Sequence, residues 1–407
     1  MKSKLEHQHL ENHESTTLLG NLVENFDSKR IPISKMKRKK GMFPYYGASG
    51  IIDFVDDYIL DGEYLLISED GENLRSRQSP IAFLTNGKFW ANNHVHIVKA
   101  NEKSNNRFLF YVLNFLNMDG FLTGTAQPKL NQENMNLITI PNFSILEQTH
   151  IGKILYNLDS KIQNLKNQNK ILEQIIQSIF KSWFVDFDGQ TEFVDSELGK
   201  IPKGWKVVPF KEMASCVKGF SYKGIEKFDE PQGFEFVTLN SIKEGGGFKK
   251  KFTWLESNRL KERHYVKEMD LIIANTEQTK DARLLATPAI VQFSYNYDKQ
   301  LAVYSHHISK IEPKIQNVKF YLYSFFLYYQ QIIANAYHTG TGVWGFDHTS
   351  FEINHLTLQP THEILKKLEK NAFVIHAKNI ENEKSISLLI FIRDSLLPKL
   401  MSGEIRV

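Results

Sequence analysis

The chain has 407 residues, which at about 150 residues per domain suggests two to three domains. Fifty Lys and Arg stand against 46 Asp and Glu, a net charge of +4, with 24% charged and 42% hydrophobic residues. These values exclude a wholly disordered chain, a collagen and a strongly basic histone-like protein; they neither demand nor exclude a nucleic-acid partner. The single cysteine, Cys216, excludes an intrachain disulfide framework and a zinc site with several thiolates from one chain. It reads as a small core residue.

Residues 1–15 are polar and lack the apolar segment of a signal peptide, so they read as a disordered tail. No apolar run approaches the ~20 residues needed to span a bilayer, and a cytoplasmic protein is expected. Residues 16–148 read as a first globular unit. Leu65–Ser68 and His94–Val98 are short apolar or alternating runs, as expected of strands. The aromatic stretch Phe108–Phe115 has the length of a helix, with its rings in the core, and precedes Thr123-Gly-Thr125.

A helix is expected over 149–186. Leu158, Ile162, Leu165, Asn169, Leu172, Ile176, Ile179 and Trp183 alternate steps of four and three, the seam of a coiled coil. Such a helix is about 50 Å long. The flanking Lys161, Gln163, Lys166 and Lys170 leave only a narrow apolar stripe, which suits another helix better than a sheet. Residues 187–205, with Gly, Pro and acidic residues, read as a linker.

The second half repeats the first at an offset of about 206 to 219 residues. In a second globular unit, 206–360, Glu268–Ala274 corresponds to Gly62–Ser68 and His307–Lys310 to His96–Lys99. Phe320–Leu327 corresponds to Phe108–Phe115, and Thr339-Gly-Thr341 to Thr123-Gly-Thr125. A C-terminal helix and tail, 361–407, repeats the seam at Leu368, Ala372, Ile375, Asn379, Asn382, Ile386, Leu389, Arg393, Leu396 and Leu400. The expected fold is α+β: two similar mixed α/β units separated by two long antiparallel coiled-coil helices, with an internal pseudo-two-fold repeat.

Two similar readers on a stiff spacer suit a ligand with two similar sites at fixed separation, and duplex DNA is one. Lys35, Lys37, Arg38, Lys39 and Lys40 form a basic run, as do Lys249, Lys250 and Lys251. Arg75 and Arg77, and Lys280 and Arg283, add basic residues to turn-like segments. Phosphate contacts would supply affinity and polar side chains would read base edges. The two Thr-Gly-Thr loops are the best base-reading candidates, through Thr123, Thr125, Gln127 and Lys129 in one, and Thr339, Thr341, Trp344 and the nearby His348 in the other. Their tips differ, Gln127-Pro-Lys129 against Val343-Trp-Gly345, so the two units should read different sequences.

Gln177–Phe187, the restart Leu198–Trp205 and the terminus Leu396–Ile405 resemble the specificity subunit of type I restriction–modification systems. Pro44–Asp53 with Asp61–Ile67 resembles one class of that family's first recognition domain. The resemblance runs from about Thr17 to the C-terminus. It implies two target-recognition domains, each reading half of a split DNA target, and a helix pair that sets their spacing. It also implies docking of two methyltransferase subunits that use S-adenosylmethionine, and of two restriction/translocase subunits that use ATP and Mg2+. No cofactor or metal is expected on this chain. The second seam departs by being more polar, at Asn379, Asn382 and Arg393.

A catalytic chain is the competing class. No Asn-Pro-Pro-Tyr, Asp-Pro-Pro-Tyr or phosphate-cradling Gly-x-x-x-x-Gly-Lys-Ser/Thr is present. Asp298 with Glu312-Pro-Lys314 fits the loose spacing of a metal-dependent nuclease, but Pro313 suits a paired strand poorly and the first half has no counterpart. His94, His96, His306 and His307 lack an identifiable third metal ligand and read as hydrogen-bonded histidines. A coiled-coil adaptor that binds only protein would explain the helices but not two recognition-like units.

Overall fold

The computed structural model describes residues 16–124, 127–277, 283–294, 297–340 and 343–407. The chain packs as two compact units. The first comprises the residues up to Asn164 together with Leu388–Val407; the second is Leu165–Ser387. The longer helices are α1 (Asn106–Phe115), α2 (Ile145–Phe184), α3 (Lys319–Ala336) and α4 (His362–Met401). Both long helices, α2 and α4, are thus divided between the two units.

In the first unit an antiparallel sheet runs in the order Val23–Asn25, Val95–Ala100, Leu65–Ser68, Ala82–Leu84. Leu65, Leu66, Ile67 and Ser68 are all buried, as a central strand covered on both faces requires. A second sheet orders Gly50–Val55, Lys40–Gly47, Lys88–Ala91 and Leu60–Asp61, with Tyr45 and Trp90 in parallel register. Helix α1 starts where the Asn105 side chain accepts from the amides of Arg107 and Phe108, at 3.0 and 3.2 Å. Ser144 and Glu147 start α2 with a reciprocal capping box. Phe108, Leu109, Val112 and Leu113 of α1 share a core with Ile151 and Leu155 of α2 and Leu400 and Met401 of α4, so the two long helices run antiparallel within this unit.

The second unit repeats this wiring. Its antiparallel sheet runs Ala214–Lys218, Ile308–Pro313, Leu271–Ala274, Pro288–Ile290, the same positional order. Its other sheet orders Lys227–Phe228, Thr253–Leu255, Phe234–Val237, Ala302–Tyr304 and Tyr265–Val266, again with one parallel pair, Phe236 beside Val303. Helix α3 takes the place of α1, and Phe180 and Phe184 of α2 share its core with Leu365, Leu368 and Ala372 of α4.

The ladders correct the repeat at one point. Ser68 faces Val95, and Ala274 faces Ile308. His94 therefore corresponds to His307 and His96 to Ser309, two residues away from the sequence match of His96 with His307. The slip preserves strand parity, so an alternating pattern cannot detect it.

The expected seam is largely buried: Ile162, Leu165, Ile176, Leu368, Ala372, Asn379, Asn382, Ile386 and Leu400 are inside, while Leu158, Asn169, Leu172, Ile375, Leu389, Arg393 and Leu396 are half-buried. At the end of α2 the pattern shifts. Phe180 and Phe184 are buried, whereas Ile179 and Trp183 are only half-buried. There the helix meets a globular core rather than one narrow helix, and a period near four turns the wider face inward. Residues 193–202 form a hairpin, Phe193–Ser196 against Gly199–Pro202, and Ile201 and Trp205 enter the second unit's core. The expected linker is therefore partly built into that unit.

Candidate nucleic-acid interface

Each unit carries a Thr-Gly-Thr loop, and the described residues of the two are held alike. In the first, Thr123 and Lys129 exchange both backbone hydrogen bonds at 2.8 Å, and Thr123 Oγ1 donates to the Lys129 carbonyl at 3.1 Å. In the second, Thr339 pairs with Gly345, and Thr339 Oγ1 donates to the Gly345 carbonyl at 3.2 Å. Gly124 and Gly340 take φ of 80° and 87°. A Cβ there would lie 2.4 Å from the Gln127 carbonyl oxygen and 2.5 Å from that of Val343. Only glycine permits so close a turn. The loops are anchored at equivalent points: the Leu130 amide donates to the Glu69 carbonyl, and the Phe346 amide to that of Asn275, both at 2.8 Å.

Around these anchors the chemistry diverges. In the first unit Glu69 accepts from Arg30 Nη1 at 2.5 Å and from Lys129 Nζ at 3.2 Å. His94 Nδ1 lies 2.6 Å from Asp70 Oδ2, and buried His96 bridges Asp27 Oδ2 and the Leu130 carbonyl at 2.7 and 2.8 Å. In the second unit His307 Nδ1 lies 3.1 Å from Thr276 Oγ1, and His348 Nε2 lies 2.9 Å from Asn275 Oδ1 and 3.2 Å from Ser309 Oγ. Burial, with Lys218 nearby, pushes His348 down to about 4, so it is neutral at pH 7. A charged network supports one loop and a neutral one supports the other.

The sequence-selected residues separate by placement. Gln127, Lys129, Thr123, Thr339, Lys37, Lys39, Lys40, Lys249 and Arg283 are exposed, and Trp344 is half-exposed. Arg75 is exposed and donates to the Gly124 carbonyl at 2.9 Å, tying it to the loop. Others are built into the fold. Arg77, at φ 52°, donates to the Leu113 and Asn114 carbonyls and closes the C-terminus of α1. Arg38 covers the Tyr45 ring and pairs with Asp53 at 3.1 Å. Burial lowers the pKa of Lys250, and its Nζ finds no hydrogen-bond partner among the described residues. His348 is likewise held inside its network. Thr125, Lys280 and Thr341 lie outside the described residues.

Sequence reasoning passed over His338. It is exposed and stacks on Trp344, with ring centroids 4.0 Å apart and planes 12° apart. The nuclease pattern is taken up by structural contacts: Glu312 pairs with Lys310 at 2.8 Å, and Lys314 Nζ donates to the Lys211 carbonyl at 2.6 Å. Among the described residues no His, Cys, Asp and Glu side chains group in threes to hold a metal, and no helix is long and apolar enough to cross a membrane. Burial pushes the Cys216 thiol well up, toward an inert packing group.

Residues 16–174 match the family model of the type I restriction modification DNA specificity domain. A putative type I restriction enzyme specificity subunit from Haemophilus influenzae is 43% identical over 137 residues, a match covering 34% of either chain. The MjaIX specificity subunit from Methanocaldococcus jannaschii is 27% identical, and that match spans 96% of both chains. The crystal structure of a type I restriction–modification S subunit from M. genitalium shares the fold, with a TM-score of 0.64 at 14% identity over 95% of each chain. The chain is thus similar over most of its length to a type I restriction enzyme specificity subunit, and over its first part to the specificity domain of that family.

Proposed function

We propose that this chain reads DNA sequence for a type I restriction–modification complex and performs no chemistry itself. Each unit reads one half of a bipartite target in double-stranded DNA, and α2 and α4 set the spacing and dock two methyltransferase subunits. Those subunits would bring S-adenosylmethionine and methylate adenine N6. Two restriction/translocase subunits would bring ATP and Mg2+, and the assembly would act in the cytoplasm. The observation that carries this reading is the pair of equivalent loops with unlike tips, since one scaffold presented twice with different side chains suits a target with two different halves.

Methylated-base mapping tests it. With the cognate methyltransferase, methylation should fall on one bipartite sequence, and binding to that sequence should weaken steeply with salt. Replacing Gln127 and Lys129 should change one half only. Equal affinity for random and target duplexes, or both halves changing from one loop, would end the proposal. Inserting seven residues between Leu165 and Leu172 should lengthen the gap between the halves and leave both intact.

A further inference from the structure

The loop of the second unit holds a stacked pair that its twin lacks. His338 faces Phe346 across the ladder, which places Trp344 on the neighbouring diagonal of the same face. Diagonal neighbours lie within reach of aromatic rings, and the two rings meet nearly parallel at 4.0 Å. At the equivalent positions the first unit has Leu122 and Pro128. Pro128 is buried, and its carbonyl accepts from the Gly71 amide at 3.1 Å. The layers have an order: Trp344 packs against the unit's core, and His338 lies over it and is exposed. His338 Nδ1 lies 3.1 Å from the Asn335 carbonyl oxygen, which can only accept. That contact places the proton of a neutral ring on Nδ1 and leaves Nε2 as an acceptor.

We propose that His338 is a specificity-determining residue of the second unit, accepting through Nε2 from the exocyclic amine of an adenine or cytosine in the major groove, with Trp344 as its positioning residue. This rests on the DNA-reading function above. Base edges that carry an amine need an acceptor held in place. Trp344 fixes the ring plane, and the Asn335 carbonyl fixes its rotation. The first unit presents Gln127, which can donate and accept, and so reads by a different code.

The test uses the full chain assembled with its methyltransferase partners and competition binding to duplexes altered one base pair at a time. His338→Ala should cost about tenfold in affinity for the intact target and relax discrimination at one base pair of one half. His338→Asn, which keeps an acceptor, should recover part of the loss. Trp344→Phe, which keeps a ring beneath His338, should be milder than Trp344→Ala. A target in which purine replaces the contacted adenine, and so lacks the amine, should bind wild type and His338→Ala equally. The same loss on every sequence, with a smaller salt slope, would make His338 a phosphate contact and overturn the assignment. Unchanged discrimination in His338→Ala would also overturn it, and the DNA-reading function would stand as long as the wild-type assembly still prefers its target. Failure of the wild type to prefer any target would instead remove the function itself.

Discussion

The side-chain amide of Asn382 donates to Asn169 Oδ1 at 2.8 Å, and the Asn169 amide donates on to Glu383 Oε1 at 3.1 Å. Two asparagines that the seam pattern would place among apolar residues are thus joined by one hydrogen bond across α2 and α4 of the second unit. A polar layer of this kind fixes register at some cost in stability.

Asn382→Ala should therefore destabilise the chain by about 1–2 kcal/mol, because it strands a half-buried acceptor on Asn169. The double change Asn169→Leu with Asn382→Leu should be neutral or stabilising. Urea unfolding checks both. A double variant less stable than Asn382→Ala would show that the layer contributes net stability.

The loop glycines allow a sharper separation of the two readers. Gly124→Ala and Gly340→Ala each place a Cβ against a carbonyl oxygen at 2.4 and 2.5 Å, at φ near +80° and +87°. Each change should cost about 1 kcal/mol or more and impair recognition of one half-target only. Methylation mapping on a panel of half-site variants reads this directly; equal loss at both halves would contradict independent readers.

Much of this architecture is legible in the sequence, because duplication converts weak local signals into paired ones. The strand Leu65–Ser68, helix α1 and the Thr-Gly-Thr loop each have a partner in the second half, and all three pairs occupy equivalent places. The match of His96 with His307 failed because strand periodicity has a period of two and cannot see a two-residue slip. Direction of a side chain was also hidden. Arg77 and Lys129 are both basic residues near turns, yet one closes a helix end while the other closes the base of a loop with an exposed side chain that reaches Glu69. His338 escaped notice because its significance lies in a cross-strand diagonal to Trp344, and diagonals require the register.

Acid should weaken the second unit through its histidines. Burial pushes His348 and His355 down to about 4 and His376 to about 3, against 6.5 for an unperturbed ring. The folded chain keeps these rings neutral while the unfolded chain protonates them near 6.5. The stabilisation is full above that pH and is lost progressively as pH falls toward the folded values. His348→Gln, which can still donate to Asn275, should reduce the slope of stability against pH between 6.5 and 4.5. The reduction should approach one proton's worth, about 1.4 kcal/mol per pH unit. An unchanged slope in pH-dependent urea titrations would show that His348 titrates freely in the folded chain.

Arg393 departs from the apolar seam, and the first unit supplies its partners. Its Nη1 lies 2.7 Å from Asp159 Oδ1, and Tyr111 of α1 donates to Asp159 Oδ2 at 2.7 Å. One carboxylate thus joins α1, α2 and α4. Arg393→Leu restores the apolar pattern but leaves Asp159 partly buried with Tyr111 alone, so it should destabilise by about 1–3 kcal/mol. Adding Asp159→Leu should recover part of that loss, since both ends of the pair are then apolar. Arg393→Lys should fall between, because an ammonium cannot reproduce the guanidinium fork that also reaches Asp394 at 2.7 Å. The double-mutant cycle from urea unfolding gives the coupling directly. Additive losses would mean that Asp159 and Arg393 act independently and that the polar step in the second seam is a solvated break rather than a joint.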